Sequence, residues 1–418
     1  MKKILLYGLL IALSAWFLFH LIKSSILLYF GVASLSTTIT FYLLAILIGA
    51  AFFLLLKKKF RHAVPANLIV LLVTVWASLL VGEISLRYTM KKYITYNERL
   101  GYNYRSFYSY LDNWESIKMY FTKKQSYWYL QIPPNYSRKY TVDGHTFSHN
   151  YNSLSLRDDE KQPAPDDSLK LVIGMGDSFT EGIGTAQDST WIKFFERDIN
   201  ACSTNKIRTL NAGVSGSDPY FEYVLLEKLL RQYQPHTVVV AINTSDIDDV
   251  IIKGGTERFL PDGRLQFRKP PVWEPLYATS FIFRAAMHTA FDLDWTLLTM
   301  KEKEMRKAEA IDSIGDCIKR FHELGKQKGF KLVVVFHPRE DEIKTGEFPY
   351  DALAAKLAAD TTYTIINMKN EFANSGRITK ANSGEFYWPV DLHHNAKGYQ
   401  VLGELIAARL RGNYAGCE

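Results

Sequence analysis

The hydrophobic pattern divides the chain into an apolar N-terminal part and a longer part in which short apolar runs alternate with amphipathic ones. Long apolar runs cover residues 4–22, 39–56 and 67–81 with its flanks. Each approaches the roughly 20 residues needed to cross the hydrocarbon core of a bilayer. We therefore predict an N-terminal bundle of about three transmembrane helices within residues 1–87, with the third span near 65–84.

Two alternatives apply to these runs. The first run could be a cleaved signal peptide, because Lys2 and Lys3 precede it and small residues lie near Ser14 and Ala15. Its apolar stretch exceeds the roughly 7–15 residues of a signal core and further runs follow, which favours an uncleaved anchor. A buried helical hairpin is the alternative for the other two runs, but residues 45–56 carry no charge on any face.

Basic residues set the expected orientation. Lys2 and Lys3 precede the first run, and residues 57–62 fill the loop between the second and third runs with lysine, arginine and histidine. Lys23 is the only basic residue between the first and second runs. The positive-inside rule places the N-terminus and the 57–62 loop in the cytoplasm. Three spans then deliver the rest of the chain to the periplasmic or extracellular side.

Residues 169–418 alternate between strand-like and helix-like runs. The β-branched runs predict strands at 171–173, 207–210, 237–242 and 331–336, and the amphipathic runs predict helices at 191–199, 222–233, 301–328, 350–359 and 398–411. Strands that alternate with helices imply a parallel sheet covered on both faces. In such an α/β fold, the site lies at the carboxyl ends of the strands.

Two segments interrupt this alternation. Residues 88–168 form a connector rich in Tyr, Trp and Asn, whose rings suit a membrane interface or carbohydrate stacking. In residues 249–294 we predict an insertion with a hairpin at 259–267 around a Pro-Asp-Gly turn. An insertion at the end of a strand is placed to form a lid or a substrate wall. A surface excursion without a role is the alternative.

Composition narrows the function classes. The formal net charge of +7 partly reflects the lysines near the apolar runs, and the rest of the chain has no long basic stripe, so nucleic-acid binding is not supported. Attraction to acidic glycans or anionic headgroups stays open. Cys202, Cys317 and Cys417 are too few and too scattered for a disulfide framework or a metal knuckle. One bridge is possible, and we expect no metal and no cofactor.

The candidate chemistry begins at residues 169–184, where a strand-like run ends in a serine. Gly174, Gly176 and Asp177 break the run directly before Ser178. If a helix starts there, free N–H groups and the helix dipole favour negative charge that develops during attack on an ester. A serine that only caps a helix is the alternative. This stretch does not match the dinucleotide-binding fingerprint, because Phe179 stands at the position of the third glycine. It does not match a P-loop either, because no Gly-Lys-Ser/Thr follows.

Gly176-Asp177-Ser178-Phe179-Thr180-Glu181-Gly182 resembles the first sequence block of the SGNH/GDSL hydrolases, in which the serine is the nucleophile. The resemblance implies a flavodoxin-like, three-layer sandwich around a parallel sheet. Residues 151–157 resemble a segment often found upstream of this block in secreted members. Residues 211–216 resemble the second block, which implies that the Gly213 N–H donates to the oxyanion, alongside that of Ser178. An ordinary turn is the alternative there.

The third block departs from the family pattern, which ends a strand with Gly-x-Asn-Asp. Setting Ala241 at the glycine places Asn243 at the asparagine, whose amide is the last oxyanion donor, and Thr244 at the aspartate. Setting Asp246 at the aspartate places Ser245 at the donor instead. We favour Asn243, with Ser245 as the alternative.

Residues 387–399 resemble the last block, which supplies the acid and the base from one loop. Asp391 is the expected acid. Asp-x-His spacing, as in enzymes that resemble bacterial polysaccharide O-acetyltransferases, selects His393, whereas Asp-x-x-His spacing selects His394. We favour His393, because it also fits a following His-x-Asn-x-x-Gly pattern. A structural or metal-binding His-His pair is the alternative.

The sequence thus predicts a membrane-anchored serine esterase that acts on acyl esters, preferably acetyl esters, of extracytoplasmic carbohydrate. An O-acetyltransferase with the same Ser178, Asp391 and His393 is the first alternative. A non-catalytic glycan-binding protein on a degenerate hydrolase fold is another, motivated by the altered third block. A lipase that acts at its own membrane is a third. Oligomeric state is open.

Overall fold

The computed structural model describes residues 134–160, 169–259, 281–291, 298–360 and 362–417, together with 132, 293 and scattered positions between 74 and 86. The predicted spans near 4–22 and 39–56 lie outside the described residues, as do most of the span near 65–84 and nearly all of the hairpin at 259–267. Among the residues described, no helix is both long enough and apolar enough to span a bilayer.

The chain forms two compact units. One comprises Met1–Lys124 and Phe267–Glu302, and the other comprises Gln125–Gln266 and Lys303–Glu418. In the first unit, the Ile282 N–H donates to the Glu83 carboxylate. Every candidate site residue lies in the second unit. The predicted ranges 1–87, 88–168, 169–418 and 249–294 stay predictions.

A five-stranded parallel sheet is the centre of the second unit, which confirms the predicted α/β class. A separate antiparallel hairpin precedes it. In chain order, the strands are β1 (Ser137–Val142), β2 (His145–Asn150), β3 (Lys170–Gly176), β4 (Ile207–Gly213), β5 (Thr237–Ile242), β6 (Lys331–Phe336) and β7 (Thr364–Asn367). The sheet order is β4-β3-β5-β6-β7, the flavodoxin-like order in which the first strand lies second. This order puts the carboxyl end of β3 between those of β4 and β5.

Most α-helices between residues 169 and 417 connect and cover these strands, whereas Phe281–Ala290 lies in the first unit. In chain order, the helices of this range are α1 (Ser178–Glu181), α2 (Trp191–Cys202), α3 (Pro219–Leu229), α4 (Ser245–Lys253), α5 (Phe281–Ala290), α6 (Met300–Lys328), α7 (Glu340–Thr345), α8 (Asp351–Ala358), α9 (Met368–Ser375) and α10 (Ala396–Leu410). All six residues of β5 are buried, so both faces of the sheet are covered at its centre. On one face, Val172 and Val239 pack with Trp191 and Phe195 of α2 and with Tyr399 of α10.

β7 and α4 were not predicted from the sequence. β7 has only four residues, too few for a periodic signal, and it pairs at the edge of the sheet with β6. α4 occupies the start of the predicted insertion at 249–294, because its acidic first turn and its apolar Ile247, Val250 and Ile251 form an amphipathic helix. Residues 249–253, the first five of the predicted insertion, are therefore helical.

The β1–β2 hairpin lies in the segment that we expected to be a connector. Its two-residue turn, Asp143-Gly144, has positive φ at both positions, 46° and 81°. An Asp-Gly pair between alternating residues is a strong signal for such a turn. The Asp143-Gly144 pair therefore marks a hairpin within the segment that the sequence analysis treats as a connector.

A disulfide joins Cys202, at the end of α2, to Cys417, near the C-terminus. Cys317 is a buried free thiol of α6. The sequence left open whether the three cysteines form one bridge or are all structural thiols. The structure contains one bridge, Cys202–Cys417, and one buried thiol, Cys317.

Candidate active site

Ser178 lies at the carboxyl end of β3 as the first residue of α1. The Asp177 side chain accepts a hydrogen bond of 2.9 Å from the Phe179 N–H and so caps this helix. Gly176 has φ 150°, and a Cβ there would lie 2.2 Å from Thr180 Oγ1. Since Asp177 is the cap, the hydroxyl of Ser178 is available for other chemistry, and the side chain is partly exposed.

Asp391, His393 and Ser178 form a continuous chain of hydrogen bonds. His393 Nε2 lies 2.7 Å from Ser178 Oγ, and His393 Nδ1 lies 2.5 Å from Asp391 Oδ1. A carboxylate at Nδ1 keeps the proton on that nitrogen and leaves Nε2 as an acceptor for the serine proton. Burial opposes ionisation of Asp391, but the hydrogen bond and charge of His393 outweigh it, so the pKa of Asp391 is lowered. The three side chains can thus perform nucleophilic catalysis.

His394 occupies a different environment. Its ring is fully buried, 4.1 Å from that of Tyr387 between centroids, and its Nδ1 lies 3.4 Å from the Phe386 carbonyl oxygen. Burial lowers the pKa of His394 well below its ordinary value, with His337 as a lesser cause. The structure therefore brings His393, and not His394, to the serine. The described residues contain no group of three or more His, Cys, Asp or Glu side chains placed to hold a metal ion.

The loop that carries the acid and the base is closed by its own backbone. The Trp388 N–H donates to the His393 carbonyl and the Leu392 N–H donates to the Trp388 carbonyl, at 2.8 and 2.9 Å. Leu392 has φ 69°, in the left-handed region that a leucine rarely adopts. The Trp388 indole N–H donates to the Gly184 carbonyl, just beyond the nucleophile helix, at 2.8 Å. The loop is therefore fixed to the segment that carries Ser178.

Gly213, the predicted backbone donor, is buried at the end of β4. Its N–H donates to Asn211 Oδ1 at 3.0 Å, and a Cβ on it would lie 2.1 Å from the Glu181 nitrogen. Gly213 therefore allows β4 to approach α1 closely, and its N–H is already hydrogen-bonded to Asn211 and not free to bind an oxyanion. Gly216, three residues later in the same loop, is partly exposed and has φ 73°. Sequence reasoning did not consider Gly216.

Asn243 and Ser245, the two candidates for the third donor, both contact Asp177. Asn243 is fully buried, and its Nδ2 donates to Asp177 Oδ2 at 2.8 Å. Ser245 Oγ lies 3.1 Å from Asp177 Oδ2 and 2.7 Å from Asn243 Oδ1. A serine hydroxyl has one proton and an amide nitrogen has two, so Asn243 retains a donor after its bond to Asp177 whereas Ser245 does not.

Arg157, the last residue of the upstream segment 151–157, holds the turn after the nucleophile, and the adjacent Asp158 binds β4. The buried Arg157 guanidinium donates to the carbonyl oxygens of Glu181, Gly182 and Thr185. Asp158 Oδ2 accepts from the Asn211 N–H at 2.8 Å. The sequence pointed to this segment only through the resemblance, because a buried arginine that satisfies carbonyl groups has no periodic signal.

Glu181, the last residue of α1, is the centre of a buried polar cluster. Its carboxylate accepts from the Tyr151 hydroxyl at 2.5 Å and from the N–H and hydroxyl of Ser215 at 2.8 and 2.5 Å. His149 and Arg138 of the hairpin lie 3.5 Å away. Burial by itself raises the pKa of Glu181, but hydrogen bonds from His149, Ser215 and Tyr151 outweigh it and lower the pKa to about 2. Glu181 is therefore ionised and links the nucleophile helix to the loop after β4.

Two further buried carboxyl groups lie behind the nucleophile turn. Glu222 Oε1 accepts from the Ser217 hydroxyl, and Asp246 Oδ2 accepts from the Asn243 N–H. Burial, followed by repulsion from Asp177, raises the pKa of both groups well above the ordinary value. Both groups therefore hold protons at pH values where an exposed carboxyl group is ionised.

A groove of about 700 Å³ runs along β2. It is lined by Thr146, Phe147, Ser148, Asn150, Asp159, Ala186, Gln187, Asp188, Lys193, Glu196 and Arg197. The Phe147 ring also packs on Trp388, with 6.2 Å between centroids. The lining of the groove is thus mixed in polarity and in charge, and the Phe147 ring connects the groove to Trp388 of the loop that carries Asp391 and His393.

No family model matches the chain, and no curated protein matches it. Among solved structures, a two-domain esterase active on acetylated mannans is 12% identical with a TM-score of 0.34; the match covers 58% of this chain and 49% of that one, about half its length. A lipase/acylhydrolase from Enterococcus faecalis is 17% identical with a TM-score of 0.35, covering 60% of this chain and 100% of that one. An acetylxylan esterase from Geobacillus stearothermophilus is 13% identical with a TM-score of 0.37, covering 58% and 94%. At these identities and TM-scores, the matches assign no activity or substrate to this chain.

Proposed function

We propose that the chain is a serine esterase of the SGNH/GDSL type. One observation carries this proposal: His393 lies within hydrogen-bond distance of both Ser178 Oγ and Asp391 Oδ1, at the carboxyl end of a parallel strand. Acyl transfer requires a nucleophile, a base that takes its proton and an acid that orients the base, and the three side chains are linked by hydrogen bonds in that order. The ordered sequence blocks at Ser178, 211–216 and 387–399 support the same conclusion.

The reaction follows from the positions of the protons. His393 Nε2 takes the Ser178 proton as Oγ attacks the acyl carbon, and Asp391 stabilises the imidazolium that forms. The tetrahedral oxyanion collapses, His393 returns the proton to the departing alcohol, and an acyl group remains on Ser178. Water then attacks the acyl carbon of the acyl-enzyme while His393 takes one of its protons, and His393 returns that proton to Ser178 Oγ as the C–O bond to the serine breaks and the acid leaves.

We assign the oxyanion donors to the N–H groups of Ser178 and Gly216 and to the side chain of Asn243. Ser178 is the first residue of α1, and the first N–H groups of a helix have no partner within the helix, so the Ser178 N–H is available to the oxyanion. Gly216 replaces Gly213, whose N–H is bonded to Asn211. Asn243 has the spare N–H that Ser245 lacks.

We favour hydrolysis over transfer. The side chains of His393 and Asp391 are 19% and 23% exposed, so water can reach the base that acts on the acyl-enzyme. An O-acetyltransferase would use the same side chains but would have to exclude water from the acyl-enzyme. Formation of an acylated sugar instead of free acid in the assay below would select that alternative.

We propose that the alcohol portion of the substrate is a carbohydrate. The groove along β2 supports this, because it combines the aromatic ring of Phe147 with many side chains that can bond to hydroxyl groups and has no single dominant charge. The absence of binding to neutral oligosaccharides by a Ser178→Ala variant would argue against this substrate class.

We further propose that the catalytic unit lies on the extracytoplasmic side of a membrane, held by the apolar N-terminal runs. The Cys202–Cys417 bridge supports this location, because disulfides persist in oxidising compartments. The basic residues at 2–3 and 57–62 support the same orientation. Reporter fusions after residue 418 that are active only in the cytoplasm would overturn this part of the proposal.

The experiment for the enzymatic proposal uses the full-length chain in detergent. It should hydrolyse p-nitrophenyl acetate and react with a fluorophosphonate at Ser178. Ser178→Ala should abolish labelling, and His393→Ala should lower turnover by about 10⁴-fold. Ser189→Ala is a matched control, because Ser189 is a half-buried serine in the segment before α2 whose hydroxyl donates to Asp188, and its removal should leave activity unchanged. A wild type that neither labels nor hydrolyses esters would favour a non-catalytic binding protein.

A further inference from the structure

The β1–β2 hairpin touches the acid and base loop at its turn. Asp143 Oδ2 accepts a hydrogen bond of 3.0 Å from the Val390 N–H, and Val390 directly precedes the acid Asp391. The His145 ring lies 4.9 Å from the Trp388 ring between centroids. The outer side of the loop is therefore held by a segment that belongs neither to the sheet nor to the four motif blocks.

The other end of the same hairpin contacts the nucleophile side. Arg138 and His149, from β1 and β2, lie 3.5 Å from the Glu181 carboxylate, which also binds Ser215. Glu181 is the last residue of the helix that begins with Ser178. The hairpin therefore bridges the nucleophile helix and the acid and base loop, which are far apart in sequence.

The turn geometry makes Asp143 suitable for this contact. Asp143 has φ 46°, and aspartate, asparagine and glycine are the residues that tolerate such a position in a two-residue hairpin turn. Its carboxylate can therefore reach outwards without breaking the hairpin. Val390 is 81% exposed, so its backbone has little packing of its own to fix it.

We propose that Asp143 is a positioning residue, which acts through the Val390 N–H to hold Asp391 and His393 in register with Ser178. This inference rests on the proposed esterase function. The carboxylate does not touch the reacting atoms. It limits the freedom of the exposed side of the loop, while Leu392 and Trp388 close the loop from within.

Two substitutions separate the hydrogen bond from the turn. Asp143→Gly keeps a residue that accepts positive φ but removes the acceptor, whereas Asp143→Asn keeps both the turn preference and an acceptor oxygen. Lys139→Ala is a matched control, since Lys139 is exposed on β1. With p-nitrophenyl acetate, kcat is measured per site titrated with fluorophosphonate, so that loss of folded protein does not count as loss of turnover.

For Asp143→Gly we expect kcat per titrated site to fall about fivefold, the loss of one hydrogen bond, with KM changed less than twofold. Asp143→Asn should retain at least half of the wild-type kcat, and Lys139→Ala should retain all of it. Asp143→Gly with wild-type kcat per titrated site would overturn the inference, even if its melting temperature is lowered, because the contact would then be purely structural.

An independent readout separates this inference from the esterase proposal. Hydrogen exchange at the Val390 amide should be faster in Asp143→Gly than in wild type, whether or not the protein hydrolyses esters. If the wild type is inactive, the esterase proposal fails, and unchanged Val390 exchange would overturn the positioning contact as well.

Discussion

Asp391 and His393 hydrogen-bond to each other across a single residue, Leu392, whose backbone is left-handed with φ 69°. In an extended chain, the side chains of residues two apart lie on the same face of the strand, but their Cα atoms are roughly 7 Å apart, which is long for a direct hydrogen bond from a short aspartate side chain. The left-handed residue turns the chain sharply enough for the Asp391 carboxylate to reach Nδ1 while Nε2 stays on Ser178.

Substitution of Leu392 should therefore separate backbone conformation from side-chain chemistry. Leu392→Val should lower kcat about tenfold, because left-handed backbone costs a non-glycine residue about 1–2 kcal/mol and β-branching adds to that cost. Leu392→Gly and Leu392→Asn should stay within about threefold of wild type. Steady-state kinetics with a small acetyl ester would check this, and a Leu392→Val enzyme as active as Leu392→Asn would contradict it.

Asn243 and Ser245 should differ strongly in their effect on turnover. Asn243→Ala removes the proposed oxyanion donor and should lower kcat about 10²–10³-fold. Ser245→Ala should cost less than about tenfold, because its hydroxyl proton is already shared between Asp177 and Asn243. Both variants should still contain folded protein by circular dichroism. A larger loss for Ser245→Ala than for Asn243→Ala would reverse the assignment.

The fully buried His337 should make stability depend on pH. Burial lowers the pKa of His337 from 6.5 to about 4, with His393 as a lesser cause. Below pH 6.5 the unfolded chain takes up a proton that the folded chain excludes, so this contribution to stability is complete above pH 6.5 and is lost as the pH falls towards 4. The full shift corresponds to about 3 kcal/mol.

Urea unfolding of wild type and His337→Leu at several pH values isolates this effect, because the contributions of Glu222, Asp246 and the other titrating groups largely cancel in the difference. The free energy of unfolding of wild type, relative to that of His337→Leu, should decrease between pH 7 and pH 4. A difference that is constant over this range would show that His337 is not kept neutral by burial.

The Cys202–Cys417 bridge closes a loop with a sequence separation of 215 residues. A closed loop of this length restricts the unfolded chain, so the double variant Cys202→Ser with Cys417→Ser should lose about 2–4 kcal/mol of stability. Thermal unfolding with and without reductant measures this directly. Reductant should destabilise wild type to the level of the double variant and leave the double variant unchanged.

Much of the sheet could be predicted from local pattern, because buried parallel strands such as 237–242 and 331–336 are uninterrupted β-branched runs. The serine and its acid and base loop came from motif order. The engagement of the Gly213 N–H by Asn211 was out of reach of such reasoning, because it depends on a side-chain contact. Motif spacing favoured His393 over His394, but the reason that His394 is unavailable, the full burial of its ring, has no signal in the sequence.

The roles of the hairpin and of Arg157 were missed for a similar reason. Their effect depends on contacts such as Asp143 with Val390 and Arg157 with Glu181, between residues distant in sequence. Periodicity reports only which face of a local element is buried. The Asp143-Gly144 turn can be predicted from the sequence, whereas the hydrogen bond between the Asp143 carboxylate and the Val390 N–H cannot.

The long separation between Ser178 and His393, 215 residues, has a consequence for biosynthesis. The loop with the base directly precedes α10, which packs on α2, so both reach their places only after the ribosome has made the chain through α10. A nascent or truncated chain that ends before residue 393 contains the serine without its base. Under the proposed esterase function, a polypeptide whose synthesis has not passed this loop would therefore lack hydrolytic activity.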